Sequence, residues 1–302
     1  MAAGVTRSAS TATAFAVAAL GIAFFSAMDA VMKHLALGLG AYNAVLWRVC
    51  AGAAIAGALF LASGWRRPRP AAMRYHLVRG LLMAPMAMLF FWGLARVPLA
   101  QGIALAFVAP LIALFFAALI LKERIERRAI LASLLGFAGV LVILAGQAEA
   151  AMGREAFRGA LAILASAVLY AYNIVLMRQQ ALKAEPLEIA FFVQAIMAGA
   201  LALAAPFAAA LPTMSWWPAI IAAGLLSVIS LLLLSWAYAR AEAQHLAPVE
   251  YSSFLWAALF GSLFFAEEVG AATIAGAAMI VAACLIAARR RAGPAADLEA
   301  AI

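Results

Sequence analysis

Long apolar stretches separated by short polar connections run the whole length of the chain. Ten of them fall near residues 13–35, 42–63, 77–95, 99–121, 128–146, 157–178, 187–210, 216–238, 244–265 and 269–288. Each is close to the roughly 20 residues a helix needs to cross a hydrocarbon core. The pattern predicts an all-α integral membrane protein with ten transmembrane helices. The breaks carry turn chemistry: Ser63-Gly64-Trp65-Arg66-Arg67-Pro68-Arg69-Pro70 cannot continue a helix, and Val97-Pro98 makes a tight connection. Residues 147–157 form a longer polar link between the two halves. Leu211–Pro218 sets paired Trp where a membrane interface is expected.

Composition agrees with the pattern. The chain is 69 % hydrophobic and 11 % charged, with a mean hydropathy of +1.06, which a water-soluble fold of 302 residues could not bury. The formal net charge of +8 would fit a nucleic-acid partner, but its distribution points elsewhere. Lys and Arg collect in alternate connections, with Arg66, Arg67, Arg69, Arg74, Arg79, Lys122, Arg124, Arg127, Arg128 and Arg289–Arg291 all on one side. Arg96, Arg154 and Arg158 are on the other, while Lys33 and Arg48 fall inside helices. By the positive-inside rule the rich side is cytoplasmic and both termini lie inside, in a cytoplasmic (inner) membrane. Basicity here orients the chain in a lipid bilayer and marks no nucleic-acid surface.

Scarce residues repeat. Trp92 and Arg96 recur 144 positions later (92 to 236, 96 to 240) as Trp236 and Arg240, and the same offset carries Asp29 onto Asn173 and Glu123 onto Glu267. The chain reads as a first five-helix repeat over 13–147 and a second over 156–291, with short tails at 1–12 and 292–302. Five spans per copy, an odd number, insert the second copy upside down. Inverted repeats place a site at the bilayer midplane and permit alternating access. Helices 5 and 10 are rich in small residues, among them Gly136, Gly139, Gly276 and Ala283, which favours close packing in lipid over contact with solute.

The run Ala109-Pro110-Leu111 through Leu121-Lys122-Glu123, and its counterpart from Ala247-Pro248-Val249-Glu250-Tyr251 to Ala266-Glu267, resemble the repeat signatures of the drug/metabolite transporter superfamily, in its ten-helix EamA-type branch. The resemblance covers residues 12–291. It implies a secondary carrier, commonly an exporter of amino acids or other small metabolites, with a central cavity lined by helices 1, 3, 4, 6, 8 and 9. One departure is that Phe254 stands where the second repeat usually has the counterpart of Pro110. A kink at Pro110 would then make the halves flex unequally.

Ionisable groups inside a bilayer are expensive and point to function by default. Glu250 is the first candidate, either as a carboxylate for a substrate ammonium or coupling proton, or as a structural partner of Arg240 or His245. Asp29 is a gate or proton site, or else neutralises itself against Lys33 one turn on, with the lysine reaching outward. Arg48 either holds a substrate carboxylate or reaches the headgroups. Gln101 and His245 share a repeat position near helix ends and could gate opposite faces or cap their helices. Trp92, Trp236, Tyr238 and Tyr251 are candidate aromatic walls, alongside Asn173 as the neutral mate of Asp29. Arg96 and Arg240 complement helix C-termini.

No phosphate-binding loop, zinc-binding H-E-x-x-H or nucleophile elbow is present, so the expectation is a transporter rather than an enzyme, without cofactor or metal. The expected solute is an amino acid or similar small metabolite. A carrier for a cation, nucleoside or vitamin-like solute is the alternative, with a membrane-embedded enzyme or a channel further behind. Monomer and homodimer both stay open.

Overall fold

The computed structural model describes residues 11–64, 67–109, 111–113, 115–116, 127–149, 153–181, 183–238, 249 and 251–288. The first helix, Thr11–Ala62, bends at Gly40, whose φ of 75° and ψ of 153° suit a residue without Cβ. The bend divides it into α1 (11–39) and α2 (41–62). Then come α3 (Pro70–Leu94), α4 (Leu99–Ala106), α5 (Arg127–Glu149), α6 (Gly153–Ala181), α7 (Pro186–Ala202), α8 (Trp217–Tyr238), α9 (Ser252–Phe265) and α10 (Ala271–Ala288). Short helical turns at Ala205–Ala208 and Met214–Trp216 lie between α7 and α8. By length and hydropathy, Thr13–Ala62, Pro70–Leu94, Gly153–Met177 and Met214–Ala237 qualify as membrane-spanning on their own, and the others are shorter apolar helices. Among the described residues there is no strand.

The fold is an all-α integral membrane bundle of two inverted five-helix repeats. The first helix of each repeat packs on the third helix of the other, α1 on α8 and α6 on α3, and the inversion is visible in α1 and α8 running antiparallel, with Gly21 against Leu234 and Gly38 against Trp216. Close approach is made by small residues. An added Cβ on Gly93 would stand 2.5 Å from the Gly159 carbonyl oxygen, and one on Gly139 2.7 Å from that of Gly276. The small-residue stretches of α5 and α10 therefore meet each other, as their composition suggests. Large apolar side chains such as Leu131, Leu203, Phe207 and Leu255 are exposed, as expected where lipid is the solvent.

Two ends of the bundle can be distinguished. The Gly40 end carries the α1–α2 bend, the α3–α4 turn and the α9–α10 turn; the Pro70 end carries the start of α3, the end of α6 and the start of α7. α3 begins at Pro70, two turns earlier than the hydropathy pattern suggests. Arg79, counted above among the loop charges although it falls within the expected stretch 77–95, lies buried well inside this helix. Pro caps this start naturally, since its missing N–H is one the first turn leaves free anyway.

Candidate substrate-binding site

The middle of the bundle holds a layer of buried polar side chains contributed by α1, α2, α7 and α8. Ser26 and Asp29 lie one turn apart on α1, and Ser227 and Ser230 one turn apart on α8. Register brings these two pairs to the same depth. Gly21 on α1 packs against Leu234 on α8, and Gly38 against Trp216 just before α8, so the two helices run antiparallel with Ser26 level with Ser230. Arg48 reaches across from α2 and donates from Nη1 to Ser227 Oγ at 3.1 Å.

Asp29 is 2 % exposed and Arg48 6 %, and each lies near enough to feel the other's charge. Their hydrogen-bonding capacity is far from used. Both Asp29 carboxylate oxygens, Arg48 Nε, Ser26 Oγ and Ser230 Oγ have no hydrogen-bond partner among the described residues. Each such buried group costs about 1–3 kcal/mol if it stays unsatisfied. Arrays of this kind are uncommon in a membrane interior unless something polar is handled there. The arrangement offers a carboxylate, a guanidinium and hydroxyls converging at mid-depth.

This overturns two of the sequence readings. Asp29 does not pair with Lys33, and Lys33 does not reach outward: it is 3 % exposed and forms an ion pair with Glu267, while also donating to the Val97 carbonyl oxygen at 2.6 Å. Arg48 does not reach the headgroups, because the α2–α8 contact encloses it. Gln101 is buried in the first turn of α4, but the free Leu99 N–H there donates to Glu267 Oε2 at 2.7 Å. Glu267, not Gln101, satisfies that helix start. The chain delivers this carboxylate by a left-handed residue, Ala266 (φ 53°), and by Gly261, where a Cβ would stand 2.9 Å from Glu267 Oε2.

At the Pro70 end a second polar cluster joins α3, α6 and α7. Arg79 donates from Nε to Asn173 Oδ1 (2.9 Å) and from Nη1 to Gln180 Oε1 (2.6 Å). With that oxygen engaged, Gln180 Nε2 donates to His76 Nδ1 at 2.6 Å, which leaves His76 Nε2 to meet Glu188 Oε1 at 2.9 Å. His76 is fully buried and stacks on Phe192. Asn173, the repeat mate of Asp29, is thus occupied by an arginine of α3 in the other repeat.

The aromatic candidates separate. Trp92 stands at the Gly40 end under the Arg96 guanidinium, 3.6 Å from its ring centroid, and Arg96 also donates to the Trp92 carbonyl oxygen at 2.8 Å. Arg96 therefore complements the α3 C-terminus, as its position suggests. Trp236 packs with Ala14, Ala18 and Val249 on the far half of α1 and α8. Tyr251 meets Phe107 edge-on at 5.3 Å between ring centroids. Tyr238 ends α8, but its side chain lies outside the described residues, as do Glu250, His245 and Pro110.

Sequence reasoning missed Ser26, Ser227, Ser230 and Gln194 of the mid-depth layer, and the Glu267 and His76–Gln180–Glu188 contacts. The i,i+3 spacing of the serines on otherwise apolar helices was the available signal.

Two inverted halves enclosing polar groups at mid-depth define a membrane carrier. The chain belongs to the EamA-like transporter family, which matches it twice, over residues 12–145 and 157–289. It is 30 % identical to the pseudopaline exporter CntI of Pseudomonas aeruginosa, over 89 % of this chain and 93 % of that one. It is 31 % identical to a riboflavin transporter of Rhizobium johnstonii, over 88 % and 87 %. A solved crystal structure superposes with a TM-score of 0.63 at 23 % identity, over 92 % of this chain and 97 % of that one, a likeness of fold alone. The protein is a multi-pass membrane transporter of small molecules.

Proposed function

We propose that the protein exports zwitterionic, amino-acid-like metabolites across the cytoplasmic membrane by alternating access, with both termini inside. One observation carries the substrate class: a buried carboxylate, Asp29, and a buried guanidinium, Arg48, lie in the same mid-depth layer with hydrogen-bonding capacity to spare. Asp29 takes the ammonium and Arg48 the carboxylate, and the serines of α1 and α8 complete the contacts. Burial supplies the low dielectric that makes such pairing strong and wrong charge patterns costly. The exporter among the relatives supports the outward direction, and the loop charges support the orientation of the termini. A net-neutral solute moves without work against the membrane potential, about 2.3 kcal/mol per charge per 100 mV.

Glu250, His245, Gln101, Tyr238, Tyr251, Trp92, Trp236 and Asn173 enter this reading as secondary wall or gating residues. The flexing proline is Pro110. The riboflavin-transporting relative supports a second reading, a carrier for a vitamin-like solute. Counterflow in proteoliposomes separates the two. Labelled amino acids should exchange saturably with the unlabelled form, and Arg48→Met should abolish that exchange. Exchange of riboflavin with no exchange of any amino acid would replace the first reading by the second.

A further inference from the structure

The α7 helix contributes one polar side chain to the mid-depth layer, and it has a place of its own. Gln194 is 3 % exposed, and neither its amide oxygen nor its amide nitrogen has a hydrogen-bond partner among the described residues. It rests on Gly52 of α2, where an added Cβ would stand 2.0 Å from Gln194 Oε1. Glycine at 52 is therefore what makes room for the amide.

Two helical faces connect this amide to the charged pair. Arg48 and Gly52 are one turn apart on the same face of α2, a rise of about 5.4 Å along the axis. Gly224 and Ser227 lie one turn apart on α8. The helices α2 and α8 run in the same direction with Gly52 level with Gly224, whose added Cβ would stand 3.0 Å from the Gly52 nitrogen, and the Arg48 guanidinium reaches past that level to Ser227. The Gln194 amide is thus held about one turn along α8 from the Ser227 hydroxyl that takes the guanidinium, within the same interhelical layer. An apolar residue would fill this position without leaving a donor and an acceptor unsatisfied.

We infer that Gln194 reads the side chain of the carried solute and selects an uncharged group that both donates and accepts hydrogen bonds, as a primary amide does. This rests on the reading of Asp29 and Arg48 as the seat for the ammonium and carboxylate. An amide in the site pairs with both ends of Gln194. A hydrocarbon side chain leaves both ends unpaired, and sites built to hydrogen-bond discriminate strongly against analogues that lack the group.

The test is counterflow of labelled L-glutamine and L-leucine by the purified full chain in proteoliposomes. The wild type should favour glutamine about tenfold or more, and Gln194→Leu should lower the glutamine-to-leucine ratio by a similar factor. Gly52→Ala, which keeps the amide but pushes it off its seat, should lower the ratio in the same direction and decides the matter if Gln194→Leu is inert. An unchanged ratio in Gln194→Leu overturns the inference, as does a wild type that prefers leucine. Loss of both solutes in both variants overturns it too, by marking Gln194 as a packing residue. A wild type that carries no amino acid at all sinks the underlying amino-acid reading instead.

Discussion

Lys33 and Glu267, 234 positions apart, form an ion pair that closes the Gly40 end of the bundle. The pair ties the end of α1 to the α9–α10 turn. It also recruits the α3–α4 turn, since Lys33 donates to the Val97 carbonyl and Glu267 accepts from the Leu99 N–H. Phe265 lies under the ammonium at 5.2 Å. Both repeats are thereby joined by one buried contact at one mouth, and a carrier that alternates must break and remake it.

Removing Glu267 leaves the Lys33 ammonium buried alone, whereas removing Lys33 leaves a half-buried carboxylate that water can reach. Glu267→Gln should destabilise the closed state by about 3–5 kcal/mol and Lys33→Met by less, and the double replacement should recover part of the larger loss. The expected signature is a lower melting temperature in detergent for each single variant. Faster labelling of Ala100→Cys should accompany it, since Ala100 is buried in the first turn of α4 beside this contact. Equal labelling with and without Glu267 would show that the pair does not close this mouth.

Asp29 behaves differently because it has no hydrogen bonds to lose. Its carboxylate oxygens lack partners among the described residues, so Asp29→Asn removes a buried charge without breaking a network. Stability should hold or rise, while amino-acid counterflow falls by about tenfold or more, the scale of one lost charge-assisted hydrogen bond. Melting curves and counterflow on the same preparation check both halves. A variant that transports normally would take Asp29 out of the substrate site.

The architecture was legible because it is written in long-period features: apolar stretches of membrane length, alternating basic connections and a repeat carried by scarce Trp and Arg. Contacts between distant helices were not. Asp29 and Lys33 sit at the ideal local spacing for a pair, yet the partner of Lys33 lies in the other repeat, where helix packing rather than spacing decides. Arg79 looked like a loop charge because it follows directly on the basic run from Arg66 to Arg74 at the polar start of its helix. In the structure one face of that segment, Ala72, His76 and Arg79, is buried, and its polar groups meet α6 and α7. The serines and Gln194 escaped notice because a hydroxyl or one amide barely disturbs an apolar run. Their meaning appears only when four helices bring them to one depth.

The Arg79 cluster should prove structural. Arg79 holds Asn173 and Gln180, and Gln180 in turn orients His76 toward Glu188. Arg79→Met orphans two amide oxygens at once, and we expect a loss of about 2–5 kcal/mol in stability. Chemical-denaturant or thermal unfolding should report it, with surviving folded protein retaining its solute preference. A change of preference without loss of stability would move this cluster from scaffold to binding site.

The repeated tryptophans supply a last comparison. If both walled the solute equally, Trp92→Ala and Trp236→Ala would impair counterflow alike. Their surroundings differ, however. Trp92 is engaged by Arg96 through its ring and its carbonyl, whereas Trp236 packs on small residues of α1. Losing Trp92 frees an arginine at a helix end that water and headgroups can satisfy, a change worth about 0.5–1 kcal/mol for an exposed cation–π contact. Losing Trp236 removes a half-buried side chain from the seam between α1 and α8, the two helices that carry Asp29 and Ser227, and loosens their packing. Counterflow should therefore fall further in Trp236→Ala than in Trp92→Ala. The reverse order would mean that the Gly40 mouth, not the α1–α8 seam, limits transport.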